Sequence, residues 1–334
     1  MREILLFHRE AGRVICDQCA HRCEIPDGAR GQCGVLVNKD DVIYSLVSDR
    51  VCAAHIDPIE RKSFLHVLPG SRSMSVASMG CNFHCPHCQS YELSQVKPNA
   101  VIAGHYVRPD EITAHALASG CSSIAFTYTE PTVYLDLVHD VARRAREAGL
   151  ATLFATNGHM TPESISLIGP HLTAVGIDLK CLSETSYRSF CGGSLGPVLA
   201  TIEAMRGIGV WVEVSTVLVP GVCDALDEVR SIARYLASID PEIPWQVVRF
   251  EPSHELKHLP ATRAGLLAEA LACGRETGLH HVYAPGLMGK EGAESTFCPG
   301  CGSLLIERFG LELRWCRLKS GGCPDCGRRL GGVW

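Results

Sequence analysis

Six repeats of a short apolar run followed by an amphipathic stretch predict an α/β protein built as an open, partial (β/α)6 barrel. Three observations carry that expectation. The apolar runs fall at 73–77, 123–128, 151–155, 173–177, 210–218 and 245–250. Between them lie stretches such as 134–148, where apolar residues recur at helical spacing and Arg and Glu occupy the opposite side. The chain also carries 18 cysteines in 334 residues, eleven of them in three closely spaced groups. Six units fall short of the eight that close a (β/α)8 barrel, so the sheet is expected to stay open.

Taken in order, residues 1–70 form an amino-terminal Cys-rich segment with Cys16, Cys19, Cys23 and Cys33. Its stretch 42–47 alternates apolar and polar residues, as a half-buried strand does. The barrel occupies 71–290. Residues 291–334 break the rhythm with CPGC, a hairpin-like stretch and CPDC, closing on Gly-Gly-Val-Trp.

Composition narrows the function classes. The chain is 46% hydrophobic and 20% charged, with a net charge of -5. Clustered Lys and Arg are lacking, which argues against a nucleic-acid partner. The opening MREILLFHRE has an apolar stretch too short for a signal peptide, and no apolar run reaches the length of a membrane span. A cytoplasmic protein with no membrane partner is expected. In such a chain, grouped cysteines point to metal rather than to disulfides.

The central group is Cys81, Cys85 and Cys88, directly after the first barrel strand. Three thiolates can ligate three irons of a [4Fe–4S] cube and leave the fourth open. A zinc knuckle completed by His84 or His87 is the alternative. The position at the carboxyl end of a barrel strand, where such folds place active sites, favours the cluster.

The loop Gly80-Cys81-Asn82-Phe83-His84-Cys85-Pro86-His87-Cys88 resembles the CxxxCxΦC loop of the radical S-adenosylmethionine (SAM) superfamily, with His87 at the usually aromatic position. Thr127-Tyr128-Thr129-Glu130-Pro131 stands where many members have Gly-Gly-Glu-Pro, and the hydroxyls of Thr127 and Thr129 are candidates to replace the missing glycine contacts. Thr156-Asn157-Gly158 ends the third strand and Asp178-Leu179-Lys180 the fourth, as in activating enzymes of the pyruvate formate-lyase type. The resemblance implies that Glu130 receives the methionyl ammonium of SAM and that Lys180 pairs with its carboxylate. It further implies that Asp178 orients Lys180 and that Phe83 and His87 border the adenine. Thr129, Thr156 and Asn157 complete the cofactor-binding set. Each charge has a plain alternative as a solvated strand-end residue, and Asn157-Gly158 as a simple turn.

Asp57-Pro58-Ile59-Glu60-Arg61-Lys62, Tyr91-Glu92-Leu93-Ser94-Gln95, the amino-terminal cysteines and the closing Val-Trp narrow the likeness to AmmeMemoRadiSam-system radical SAM proteins. Departures occur at Ser90, Cys223 and Gln246. That likeness implies Memo-like and AMMECR-like partners, and a flavodoxin or ferredoxin as low-potential electron donor.

Cys298, Cys301, Cys323 and Cys326 form two CxxC knuckles with the spacing of a zinc ribbon. A folding staple is the favoured role. Cys16, Cys19, Cys23 and Cys33 offer four thiolates for a zinc ion or an auxiliary [4Fe–4S] cluster, with zinc preferred and His21 a possible substitute ligand. Of the scattered cysteines, Cys223 follows a strand end and is expected to face the barrel mouth in a catalytic role. Cys316 is expected to be a buried thiol.

The leading function is reductive cleavage of SAM to a 5′-deoxyadenosyl radical that abstracts hydrogen from a substrate. Two alternatives stand beside it: a glycyl-radical enzyme activase and a non-catalytic metal-stabilised binding protein.

Overall fold

The computed structural model describes residues 1–97, 100–287 and 292–334. Its centre is an eight-stranded sheet whose strands lie side by side in chain order. They are β1 (Ala53–Pro58), β2 (Arg72–Ala77), β3 (Ser123–Phe126), β4 (Ala151–Thr156), β5 (Ala174–Asp178), β6 (Trp211–Leu218), β7 (Trp245–Arg249) and β8 (Val282–Tyr283). From β2 to β8 every pairing is parallel, whereas β1 runs antiparallel to β2. Strands β2 to β7 are the six expected. Two pieces were not read from the pattern: short β8, and β1, which adds part of the amino-terminal segment to the barrel edge.

Parallel strands need crossovers, and each here is a helix: α1 (Pro109–Ala118), α2 (Leu135–Glu147), α3 (Pro162–Ile168), α4 (Leu195–Gly207), α5 (Leu226–Ile239) and α6 (Ala264–Glu276). With helices on one face and loops on the other, the strands are buried on both sides. All four residues of β3 are buried, and so is nearly all of β6. Helix α2 shows why the segments are helical. It buries Leu135, Leu137, Val138, Val141, Ala142 and Ala145 on one stripe and leaves Arg143 and Glu147 paired at 2.9 Å outside. Helix α3 starts at Thr161, whose hydroxyl accepts the Ser164 N–H at 3.1 Å.

The amino-terminal ends of the strands are sealed by a buried polar floor. Glu213, on β6, accepts the backbone N–H groups of Leu65 and His66, each at 2.8 Å. Burial pushes its carboxyl up to about 7. Beside it, Arg308 pairs with Glu60 at 3.4 Å, both side chains fully buried, and donates to the Leu65 carbonyl at 2.6 Å. Arg308 belongs to the carboxyl-terminal module, a three-stranded antiparallel sheet of Thr296–Phe297, Leu304–Phe309 and Glu312–Cys316. The chain then returns to the floor, where the Val333 N–H donates to the His66 carbonyl at 2.8 Å.

Residues 1–51 sit at the opposite end. Strand Val42–Ser45 alternates half-buried and buried residues, with Ile43 and also Ser45 on the buried face, and pairs with Leu36–Lys39. The hairpin Phe7–Glu10 and Arg13–Cys16 leads into the cysteine loop. That loop reaches the barrel through a bridge between Cys19 and Met160. Among the described residues, no helix is long and apolar enough to cross a membrane.

Candidate active site

The carboxyl ends of β2 to β7 surround a cleft of about 400 Å³. Eleven of the residues singled out from the sequence line it together: Cys81, Phe83, Cys85, His87, Cys88, Thr129, Glu130, Thr156, Asn157, Asp178 and Lys180. They arrive from four different strand ends, so only the fold brings them together.

The cysteine loop leaves β2 through Gly80, at φ +105°. A side chain there would meet Val35 at 2.9 Å, so glycine alone fits the turn. Beyond it the backbone N–H of Phe83 points at Cys81 Sγ (3.3 Å), and Cys88 Sγ lies 3.2 Å from the Ser94 hydroxyl. Gln95 donates to the Cys85 carbonyl at 3.2 Å. Cys191, which the sequence did not flag, lies beside the Cys85 thiol and is the main cause holding it below its ordinary range. His84 is exposed, and His87 is buried against Phe190, with ring centroids 5.1 Å apart and planes 10° from parallel. Burial pushes the His87 ring down to about 3, with the Lys180 ammonium adding to the shift, so it is neutral at physiological pH. Among the described residues, the cysteine triad and its histidines do not gather at the close spacing of a single-ion site.

Glu130 is buried and held from all sides. Oε1 accepts the Thr132 N–H (3.0 Å), the Thr132 hydroxyl (2.6 Å) and the Thr156 hydroxyl (2.7 Å), while Oε2 accepts the Asn157 N–H at 2.8 Å. Burial nevertheless raises its pKa, and a cationic partner in the cleft would reverse that. Oε2 retains acceptor capacity for one. The residue two before it, Tyr128, has φ +67°. It takes the backbone conformation that glycine adopts freely, at a cost of order 1–3 kcal/mol. Its hydroxyl lies 3.2 Å from Lys62 Nζ, and its ring is edge-on to His55. The Thr129 hydroxyl, expected to replace a glycine contact, is instead spent on the Ser78 carbonyl at 2.6 Å.

Across the cleft, Lys180 Nζ lies 2.9 Å from Asp178 Oδ2, and Ser215 donates to Asp178 Oδ1. Burial works to lower Lys180, but Asp178 and the nearby Cys85 raise it overall. Desolvation acts to raise Asp178, and Lys180 with Ser215 holds it below the usual carboxylate range. The rim adds Arg61, Lys62, Tyr128, Arg249 and Glu251, which the sequence reading did not place in the site. Arg61, Lys62 and Tyr128 stood in motifs quoted from the sequence without a role of their own, and Arg249 and Glu251 carried no signal there.

Cys223 is corrected. It does not line the cleft. The residue is 2% exposed, and its thiol donates to the Val217 carbonyl at 2.9 Å and accepts the Val219 N–H at 3.4 Å. It fastens the turn after β6. Cys316 is likewise corrected, being exposed at the end of its strand. Gln246 is buried and donates to the Ser63 carbonyl at 2.7 Å, serving the floor rather than the mouth.

At the far end, Cys298, Cys301, Cys323 and Cys326 place their four sulfurs within 4.8 Å of one another. Cys298 and Cys326 are 3.5 Å apart, and Cys301 and Cys323 are 3.7 Å apart. Thiolates 2.3 Å from a tetrahedral zinc would stand about 3.8 Å apart, so the donor set fits zinc.

The radical SAM superfamily model matches residues 75–236, the span holding the triad, Glu130 and Lys180. Over 99% of both chains, the protein is 35% identical to an uncharacterised protein of Methanocaldococcus jannaschii. The chain belongs to the radical SAM superfamily. It is also 22% identical to the pyruvate formate-lyase-activating enzyme of Clostridium pasteurianum, over 51% of this chain and 71% of that one. Among solved structures, Streptococcus suis SuiB bound to S-adenosylmethionine aligns with a TM-score of 0.52 at 13% identity. That alignment covers 68% of this chain and 53% of SuiB. A radical SAM methyltransferase from Sphaerobacter thermophilus gives 0.51 at 16% identity, covering 71% of each. These likenesses show the radical SAM fold. Superfamily membership brings a [4Fe–4S] cluster, SAM and an electron donor with it.

Proposed function

We propose that the protein binds a [4Fe–4S] cluster on Cys81, Cys85 and Cys88 and uses it with SAM to abstract hydrogen from a substrate. The observation that carries this is the convergence of the three thiols with Glu130 and the Asp178–Lys180 pair in one cleft. The fit is chemical as well as spatial. Three cysteines leave one iron of a cube without a protein ligand. A buried carboxylate and a lysine face the same space, and they match the ammonium and carboxylate of a methionyl group. When bound, cluster and SAM together supply a 5′-deoxyadenosyl radical through one-electron cleavage of the sulfur–C5′ bond.

The chain's own residues do the rest. Glu130 receives the methionyl ammonium on Oε2, held rigid by its four donors. Lys180 pairs with the methionyl carboxylate, and Asp178 sets the position of Lys180. Neutral His87 and the loop around Phe83 border the adenine without adding charge. The floor excludes water from below. Substrate enters past the charged rim of Arg61, Arg249 and Glu251. At the opposite end of the strands, the carboxyl-terminal cysteines hold a structural zinc.

Within the superfamily, the motifs at 57–62 and 91–95 favour the AmmeMemoRadiSam group, with Memo-like and AMMECR-like proteins as partners and a flavodoxin or ferredoxin as donor. A second reading, activation of a glycyl-radical enzyme, rests on the similarity to the Clostridium pasteurianum activating enzyme.

The test is anaerobic. Protein reconstituted with iron and sulfide is given SAM and a strong reductant, and 5′-deoxyadenosine is measured by mass spectrometry. Formation by wild type and not by Cys85→Ala supports the reading. Equal formation by both, or none by wild type carrying a full cluster, removes it.

A further inference from the structure

We propose that Cys16, Cys19, Cys23 and Cys33 hold a second iron–sulfur cluster, one side chain away from the first. The four thiols line a single cavity together with apolar Ile25, Leu36 and Val133 and with Gln18 and Gln32. The choice between zinc and a cluster turns on how closely the sulfurs gather. A single zinc draws its thiolates to about 3.8 Å of one another, which is the packing seen at Cys298, Cys301, Cys323 and Cys326. Among the described residues, those four are the one group of three or more candidate ligand atoms lying within 4.8 Å of each other. The amino-terminal four share a cavity without closing to that spacing, and the triad of Cys81, Cys85 and Cys88 lines the active-site cleft in the same way. A cube of irons and sulfides holds its thiolates at its outer corners, further apart than a single ion does.

Four thiolates cap all four irons and leave no corner open, so this cluster would carry electrons rather than bind SAM. His21, the other candidate ligand in the loop, is already committed. Its Nε2 lies 2.7 Å from the Asn82 carbonyl oxygen, and its ring packs on His159 at 4.5 Å.

The second observation is where this cavity lies. The Asn82 side chain lies beside the Cys19 thiol. The same side chain places Oδ1 4.0 Å from Cys81 Sγ and accepts from Asn157 Nδ2 at 2.7 Å. Cys19, Asn82 and Cys81 therefore form a continuous path from one cysteine site to the other. The backbone braces it, because the Ala20 N–H donates to the His159 carbonyl at 3.1 Å. Along this path one electron would pass from the reduced second cluster to the oxidised first, with no proton moved. A low-potential one-electron protein carrier would then restore the second cluster. This relay role rests on the proposed function above; the metal assignment does not.

The full chain is reconstituted anaerobically with iron and sulfide, as wild type and with Cys81, Cys85 and Cys88 all changed to Ala. Iron, sulfide and zinc per chain are then measured. The wild type should hold about eight irons, and the triad variant about four, with a band near about 400 nm and a reduced-state paramagnetic signal. Adding Cys23→Ala and Cys33→Ala to the triad variant should remove the remaining iron. A triad variant that holds zinc at both outer sites and no iron overturns the proposal, as does iron unchanged by the added substitutions. If wild type and triad variant hold the same four irons, it is the first site that has failed, and the second stands. Should the triad variant not fold, wild-type Mössbauer spectra decide. About half of the iron unmoved by SAM supports two clusters, and a single cluster's worth of iron refutes the second.

Discussion

Glu130 on the β3 side accepts the backbone N–H of Asn157 at the end of β4, at 2.8 Å. One carboxylate therefore fixes the spacing of two adjacent strand ends while offering its remaining lone pair to the cleft. Position and charge can be separated by substitution. Glu130→Gln keeps the shape and removes the charge. A hydrogen bond to a charged group contributes about 1.5–3 kcal/mol, so SAM affinity should fall by about 10- to 100-fold in equilibrium dialysis. Glu130→Ala also strands the Thr132, Thr156 and Asn157 donors and should lower the melting temperature more than Glu130→Gln, whose amide oxygen keeps the Thr132 and Thr156 donors and whose amide nitrogen strands Asn157 alone.

Tyr128 sits at φ +67° where glycine is more at ease. Tyr128→Gly should leave SAM cleavage intact and change stability by no more than about 1 kcal/mol, since relieved strain and lost packing on Lys62 offset each other. Tyr128→Val should destabilise by about 1–3 kcal/mol, because a β-branched residue tolerates this region worst. Urea titration of the three proteins distinguishes these outcomes.

Glu213 gives a pH signature. Its carboxyl is raised to about 7 in the fold against about 4.3 for a free side chain. A raised acid favours the protonated fold, so its contribution is most favourable below about pH 4.3, declines as pH rises and is fully lost above about pH 7. Glu213→Gln should flatten this decline. Unfolding free energies at pH 5 and pH 8 should differ less in the variant than in wild type, and an equal difference would exclude Glu213 as the source.

Zinc at the carboxyl-terminal cysteines should be separable from turnover chemistry. Cys301→Ala should lose about one zinc per chain by metal analysis and melt at lower temperature. Below that melting point, deoxyadenosine formation should stay within a few-fold of wild type, because the ribbon lies at the opposite strand ends from Glu130 and Lys180.

The six parallel strands were legible because each is a short apolar run before a helical pattern, and the cleft residues because each motif ends a strand. β1 was missed: its sequence, Ala-Ala-His-Ile-Asp-Pro, has a single bulky apolar residue, buries none of its side chains fully and is held by its neighbour β2. The floor was illegible for another reason. Glu60, Glu213 and Arg308 are ordinary charges in sequence, and only contacts across some 150 to 250 residues bury them. Cys223 misled because a cysteine after a strand end reads the same whether its thiol faces the mouth or folds back onto Val217.

The Val333 N–H reaches the His66 carbonyl, and Arg308 reaches Glu60, across most of the chain. During synthesis the cysteine triad therefore emerges long before the barrel beneath it can be sealed. The floor under the cleft is thus the last part of the barrel to be completed, and a chain ending before Arg308 would leave the Glu60 carboxylate buried without its cation.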